Sequence, residues 1–124
     1  MPVHALLQDL FFRSRIEATA EAAGVRVIVC GTVEELLGKM KDAEGGAVLV
    51  DLGGGGDGPD GARSAIDAIR TLKRLSEPPA IVAWGSHVDV DAFEAARAAG
   101  ADRVLPRSAF TRRLPELLRE LADS

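Results

Sequence analysis

Short apolar runs alternate along the chain with longer stretches in which apolar residues recur at helical spacing. The runs contain the β-branched residues that strands favour, so each run predicts a strand. The predicted strands are Val3–Leu7, Val25–Cys30, Ala47–Val50, Ala80–Trp84 and Arg103–Leu105. A segment with helical periodicity follows every one of them, and the pattern therefore predicts five strand–helix pairs.

The helices are predicted from their apolar stripes and from the residues that begin and end them. Arg13–Ala23 predicts the first helix, with Gly24 as its C-terminal cap. Thr32 begins the second, with Glu35 at the spacing of a capping box. The remaining helices are marked by Ala65, Ile66, Ile69, Leu72 and Leu75, by Asp91–Ala99 with Gly100 as its cap, and by Leu114, Leu117, Leu118 and Leu121.

This alternation predicts an α/β fold of the doubly wound type. We expect a five-stranded parallel sheet with five helices on its two faces, a three-layer αβα sandwich like that of flavodoxin. The continuously apolar run Ala47–Val50 is typical of a central strand covered on both faces. A length of 124 residues suits one domain, which we predict to span residues 1–124.

The composition narrows the class of protein. With 47% hydrophobic and 27% charged residues the chain is globular rather than disordered. A formal net charge of −4 argues against nucleic acid as the main partner. Cys30 is the single cysteine, so no internal disulfide forms, and it is interpreted as a small buried hydrophobe. Without a membrane-spanning stretch or a signal-peptide pattern, the sequence predicts a cytoplasmic protein with no membrane partner.

Polar side chains follow the predicted strands at their carboxyl ends, where such sheets bind ligands. They include Asp9, Asp51, Ser86 and Arg107. Two carboxylates there would bind Mg²⁺, and one could attack a phosphoryl group while Arg107 stabilises the charge of its oxygens. The alternative is that both aspartates only form turns at strand ends, as Asp often does.

Four segments carry a resemblance to a known family. They are "ALLQDLFFRSRI", "AVLVD", Pro59-Asp60-Gly61 and "AARAAGADRVLPRSAF". In order and spacing they resemble the receiver domain of two-component response regulators, of the chemotaxis type, over essentially the whole chain. The resemblance implies that Asp51 is the phosphoacceptor and that Asp9, Asp51 and Gly53 are the metal positions. It also implies a histidine kinase or an output protein as the partner, and a turn at Pro59-Asp60-Gly61.

The chain departs from this family where the chemistry would occur. Gln8 replaces the first of two adjacent acids, which removes a charge from the metal site. The Thr or Ser of the family falls on Trp84 or Gly85, with Ser86 next to them. Trp84 would plug the pocket that a Thr leaves open, or would simply fill the core.

Further departures lie on the next strand and in the loop after Asp51. Arg107 replaces the family's Lys, and Arg presents a planar fork rather than a point charge. Ser108 replaces the Pro that follows it. The glycine-rich loop between Asp51 and Asp60 is two residues longer than usual.

These changes favour an atypical receiver, or pseudo-receiver: a stand-alone, non-enzymatic signalling domain with a degenerate site, monomeric or weakly dimeric, which binds another protein. Mg²⁺ would bind weakly, and no other cofactor is expected. A salt bridge between Arg107 and Asp51 would favour this hypothesis. The first alternative is a working receiver, phosphorylated on Asp51 by a histidine kinase with Mg²⁺. The second is a flavodoxin-like domain that binds a small ligand in the glycine loop as an anion nest.

A basic surface is predicted at the last strand and helix. Arg103, Arg112 and Arg113 concentrate positive charge there, with Phe110 as an apolar anchor for a partner. The alternative is a solvated helix face, with Phe110 as the first buried residue of the helix. Phe11 and the residue after it cannot both face one way from a helix start, so one of the two is expected to be exposed as a contact patch.

Overall fold

The computed structural model describes residues 2–40, 46–53, 59–86 and 88–123. The strands are β1 Val3–Leu6, β2 Val27–Cys30, β3 Ala47–Asp51, β4 Ala80–Gly85 and β5 Arg103–Pro106. The helices are α1 Leu10–Ala23, α2 Val33–Met40, α3 Pro59–Lys73, α4 Val90–Ala99 and α5 Arg107–Ala122. All neighbouring strands are parallel, in the order β2-β1-β3-β4-β5. Over the described residues this confirms the predicted α/β class and its five strand–helix pairs.

The core lies in two layers, one on each face of the sheet. One layer packs apolar residues of α1 and α5 against the sheet, and the other packs those of α2, α3 and α4. On β3, Ala47 and Leu49 belong to the first layer, whereas Val48 and Val50 belong to the second. The central strand is therefore buried on both faces, as its continuous apolar run predicts.

Two helices begin earlier than the sequence pattern predicts. α1 starts at Leu10 rather than Arg13, because Asp9 caps it. α3 starts at Pro59, so the turn expected at Pro59-Asp60-Gly61 is wrong. Proline suits the first position of a helix, where its missing N–H would have no helical partner. At the other end, α3 stops at Lys73, and Leu75 is 38% exposed instead of belonging to the buried stripe.

An ion pair lies at the amino ends of β4 and β5, at the opposite end of the strands from the candidate site. Lys73 Nζ donates to Asp102 Oδ2 at 2.9 Å and to the carbonyl of Pro79 at 3.0 Å, and Ile81 N donates to the same carboxylate at 2.7 Å. Burial alone would raise the pKa of Asp102, but these hydrogen bonds outweigh it and lower the pKa. Gly100, at φ 119°, lets the Lys73 chain pass, since a Cβ there would lie 2.6 Å from Lys73 Cγ.

Two further titratable side chains are buried in the strands β1 and β2. His4 on β1 is buried, and its Nε2 has no partner among the described residues. Burial lowers the pKa of His4, and the charges of Lys39 and Arg26 lower it further. Cys30 on β2 is buried as expected, and burial raises the pKa of its thiol. None of the described helices is long and apolar enough to cross a membrane.

Candidate functional site

Asp51 lies at the carboxyl end of β3, directly beside Trp84 in the sheet register. The residue is only 5% exposed. Its Oδ1 accepts a hydrogen bond from Gly53 N at 2.9 Å, the contact that forms a turn after a strand. Burial raises the pKa of Asp51, although the Gly53 hydrogen bond and the charge of Arg107 oppose the rise. Ionising this carboxyl group therefore costs more free energy in the folded protein than in the unfolded chain.

Asp9 caps α1 with its carboxylate. Its Oδ1 accepts hydrogen bonds from Phe11 N at 2.8 Å and Phe12 N at 3.3 Å. The charge of Asp9 also contributes to the raised pKa of Asp51. The two predicted acids lie at the carboxyl ends of the neighbouring strands β1 and β3, and each accepts a hydrogen bond from a backbone N–H that follows it.

Gln8 uses its side-chain amide to join two strands. Its Nε2 donates to the carbonyl of Gly31 at 3.1 Å, which connects the end of β1 to the segment after β2. An ionised carboxylate has no proton to donate and could not make this contact. Gln8 is therefore a structural link at the place where the resemblance implies an acid.

The side chains near Asp51 do not fit a strong magnesium site. Gln8, Glu34, Ser64 and Asp51 are among the residues that line a pocket of about 210 Å³. Within the described ranges no group of three or more His, Cys, Asp or Glu could hold a metal ion. Divalent cations need several oxygen ligands, and affinity follows their charge.

Trp84 fills the space beside Asp51 on the same face of the sheet. Its indole is fully buried and stacks on Phe110, with ring centroids 4.1 Å apart and planes 4° apart. Phe12 lies 5.9 Å from the indole, centroid to centroid. The indole Nε1 is buried without a hydrogen-bond partner among the described residues. We call Phe12, Trp84 and Phe110 the aromatic cluster.

The two residues on which the family's hydroxyl residue falls differ in their surroundings. Trp84 is paired with Asp51, whereas a Cβ on Gly85 would meet Leu52 and Phe93 at 3.3 and 3.4 Å in the other core layer. Ser86 is half-buried. Ser86 and Arg107 both line a second cleft, which does not include Asp51.

Phe110 does not belong to an interaction surface, and that assignment is wrong. Its side chain is 0% exposed, because it begins the apolar stripe that continues through Leu114 on α5. The alternative interpretation, the first buried residue of the helix, is correct. Arg112 is exposed, and Arg113 is half-buried. Arg103 pairs with Glu120 at 3.3 Å, so part of its charge is compensated within the chain.

Arg107 lies over an aromatic ring rather than on the phosphoacceptor position. Its Cζ is 5.6 Å from the ring centroid of Phe12. The described part of the chain shows no ion pair between Arg107 and Asp51, so the salt bridge that would favour a degenerate site is not formed. Arg107 acts on Asp51 through its charge alone, which opposes the rise that burial causes in the pKa of that carboxyl group.

Phe11 and Phe12 point in different directions, as expected. Phe11 is 67% exposed and Phe12 is 7% exposed. The guanidinium carbon of Arg15 lies 5.6 Å from the centroid of the Phe11 ring. Sequence reasoning missed Arg15, although its spacing of four residues from Phe11 places the two on one helix face once α1 begins at Leu10. The glycine loop of the ligand-binding alternative, residues 54–58, lies outside the described residues.

Solved structures similar to this one are response regulators and their receiver domains. A response regulator from Thermotoga maritima is 16% identical with a TM-score of 0.76, covering 100% of this chain and 99% of its own. The receiver domain of NtrX from Brucella abortus is 12% identical with a TM-score of 0.79, covering 98% of each chain. The chemotaxis response regulator CheY4 of Vibrio cholerae is 16% identical with a TM-score of 0.76, covering 97% of each.

The likeness is one of structure rather than of sequence. No protein-family model matches the sequence, and no curated protein matches it in sequence. Similarity at these identities establishes the fold, and over its described residues this chain has the receiver fold.

Proposed function

We propose that this chain, with its receiver fold, is a signalling module that acts by binding another protein and whose phosphoacceptor site is degenerate. The observation that carries the proposal is the position of Trp84. Trp84 is paired with Asp51 in the sheet, at one of the two positions on which the family's hydroxyl residue falls, and its indole is stacked on Phe110. A stacked indole in a packed core cannot supply that hydroxyl group or move without breaking the aromatic cluster.

Two further contacts support the proposal. Gln8 donates to the Gly31 carbonyl and contributes no charge, and Asp9 caps α1. A phosphoryl group on Asp51 would bring nearly two negative charges into a buried site. Arg107 is the cation whose charge acts on Asp51, and its guanidinium group lies over Phe12. The negative charge of a phosphoryl group on Asp51 would therefore be poorly compensated. In this proposal the binding of the partner protein does not depend on phosphorylation.

The proposed partner is another signalling protein, a histidine kinase or an output protein, and the module has no enzymatic activity of its own. The organisation as one domain over residues 1–124, the monomeric or weakly dimeric state and the cytoplasmic location stay predictions.

A small phosphodonor tests the site directly. The protein is mixed with acetyl phosphate and Mg²⁺, and its intact mass is followed over time. We expect little or no phosphoryl adduct on the wild type. Rapid, stoichiometric labelling that Asp51→Asn abolishes would disprove the degenerate site.

A matched pair of variants sharpens this test. Gln8→Asp restores the acid that the resemblance implies, and Gln8→Ala removes the same hydrogen bond to Gly31 without adding charge. We expect Gln8→Asp, but not Gln8→Ala, to bind Mg²⁺ more tightly than the wild type, since affinity follows ligand charge. Equal Mg²⁺ affinity in all three proteins would show that the missing acid is not what weakens the site.

A working phosphoacceptor is the second candidate function, and one observation favours it. Asp51 is retained at the end of β3, with the charges of Asp9 and Arg107 both acting on it. The acetyl phosphate experiment separates the two candidates, because only this one predicts stoichiometric labelling of Asp51.

A further inference from the structure

A cleft separate from the pocket beside Asp51 opens between the start of α1, the end of β4 and the start of α5. It has a volume of about 680 Å³, within the range of small-molecule sites. The residues that line it are Phe11, Phe12, Arg15, Ser86, Arg107, Ser108, Thr111 and Arg112. Among the described residues they comprise three arginines, two aromatic rings and three hydroxyl groups, and no acid. We call it the arginine cleft.

The arginines of the cleft form no ion pair with the described acids, although the charge of Arg107 also acts on Asp51. Among the described residues Arg15, Arg107 and Arg112 form no ion pair, whereas Arg103 on the neighbouring strand does. Arg15 and Arg107 lie over phenylalanine rings instead. Three unpaired cations in one concave site of a protein with a net charge of −4 create a local field that attracts anions.

The aromatic side of the cleft is open to a ligand. Phe11 is exposed over two thirds of its surface although it is a large apolar side chain, so a planar group could cover it with a gain in buried apolar area. Guanidinium groups bind phosphate oxygens through paired hydrogen bonds, and the hydroxyl groups of Ser108 and Thr111 can add further ones.

We propose that the arginine cleft binds a small ligand that combines a planar aromatic ring with phosphate, a nucleotide. Arg107 and Arg112 bind the phosphates, and Phe11 packs against the base. The site requires neither phosphorylation of Asp51 nor a metal ion. It is therefore independent of the function proposed above, and either proposal can fail without the other.

Chemical-shift titration of the full chain with ADP tests the proposal, with pyrophosphate and adenosine as probes of its two halves. We expect ADP to shift the amide resonances of the cleft residues, and each half alone to bind more weakly. Arg112→Gln should weaken ADP binding about tenfold, the effect of losing a charged hydrogen bond. Arg119→Gln removes the same charge from an exposed position two turns along α5 and should change nothing.

A second variant examines the ring. Phe11→Ala should weaken ADP binding and leave pyrophosphate binding unchanged, and its exposed position makes misfolding no obstacle. The proposal is overturned if millimolar ADP produces no shifts in the cleft, or if Arg112→Gln and Arg119→Gln behave alike. Equal binding of ADP and pyrophosphate would overturn the aromatic half. Saturation by a glutamate-rich peptide but not by ADP would assign the cleft to an acidic protein segment instead.

Discussion

The indole of Trp84 lies face to face with the ring of Phe110, at 4.1 Å between centroids. Phe12 packs against both rings, so the aromatic cluster joins β4, α5 and α1. Because Trp84 is paired with Asp51 on the neighbouring strand, the cluster lies next to Asp51. A change in these rings therefore affects the stability of the fold and the environment of Asp51 together.

Replacing Trp84 with threonine should destabilise the protein strongly. The change empties the space of an indole in a closely packed core, and truncations of this size cost about 3–5 kcal/mol in the free energy of unfolding. Urea denaturation followed by circular dichroism measures the loss. Trp84→Phe is the control, since it keeps a ring against Phe110 and removes the unpartnered N–H, and it should cost clearly less. If Trp84→Thr unfolds at the urea concentration of the wild type, the cluster does not support the fold.

Asp51→Asn should stabilise the folded state at neutral pH. Burial raises the pKa of Asp51 above its ordinary value of 3.8, so the ionised carboxylate destabilises the folded protein at higher pH. That destabilisation disappears as the pH falls through the folded-state pKa towards 3.8. Asparagine keeps an oxygen that can accept from Gly53 N and carries no charge.

The urea midpoint measures this effect at about pH 7 and again at about pH 3, below the ordinary pKa of Asp. The gain from Asp51→Asn should be present at the first pH and absent at the second. Asp67→Asn, at an exposed ion pair with Arg70, should change the midpoint little. A loss of stability at neutral pH in Asp51→Asn would show that the carboxylate is favourably placed.

Mild acid should weaken the fold through His4. Because its pKa is lowered below the ordinary value of 6.5, the unfolded chain binds the proton first. The stability that depends on neutral His4 is fully present above pH 6.5, and it is lost as the pH falls from there towards the folded-state pKa. Thermal unfolding at several pH values measures the loss. His4→Leu should reduce it, because leucine does not titrate and leaves no buried Nε2 unpaired. Identical pH dependence in the two proteins would exclude His4 as the cause.

Two glycine-to-alanine changes should have opposite effects on stability. Gly100→Ala forces a side chain into a positive φ and against Lys73, and should cost about 1–3 kcal/mol. Gly38 lies inside α2 with nothing within 4 Å of a Cβ, so Gly38→Ala should stabilise by about 0.5–1 kcal/mol. Denaturation midpoints compare the two. A neutral Gly100→Ala would mean that the Lys73–Asp102 contact can move without cost.

The order of strands and helices could be predicted from the sequence, because each strand is a short apolar run and each helix has its own stripe. The first residues of the helices were predicted less accurately. The Asp9 cap adds a turn of α1 whose exposed residues Leu10 and Phe11 do not fit a polar surface. In the same way, Pro59 permits a helix start where a turn was expected.

Less of the candidate site than of the fold could be predicted from the sequence. Its members could be predicted as residues that follow strands, but their hydrogen-bond partners could not. The amide of Gln8 turns to Gly31, 23 positions away, and only the pairing of β1 with β2 brings that carbonyl near. Phe110 was ambiguous because an apolar residue at the start of an amphipathic helix suits a surface or a core equally well, until the packing of Trp84 places it.

The single thiol of the chain has a use that follows from where β2 lies. β2 is one of the two edge strands and pairs with β1 alone among the described strands, and the side chain of Cys30 on β2 is buried against α2. Because Cys30 is 0% exposed, a thiol reagent can reach its sulfur only when β2 or α2 moves away from the core. The rate at which Cys30 is labelled therefore reports how often this part of the fold opens. It can be measured in the unchanged sequence, without introducing another cysteine.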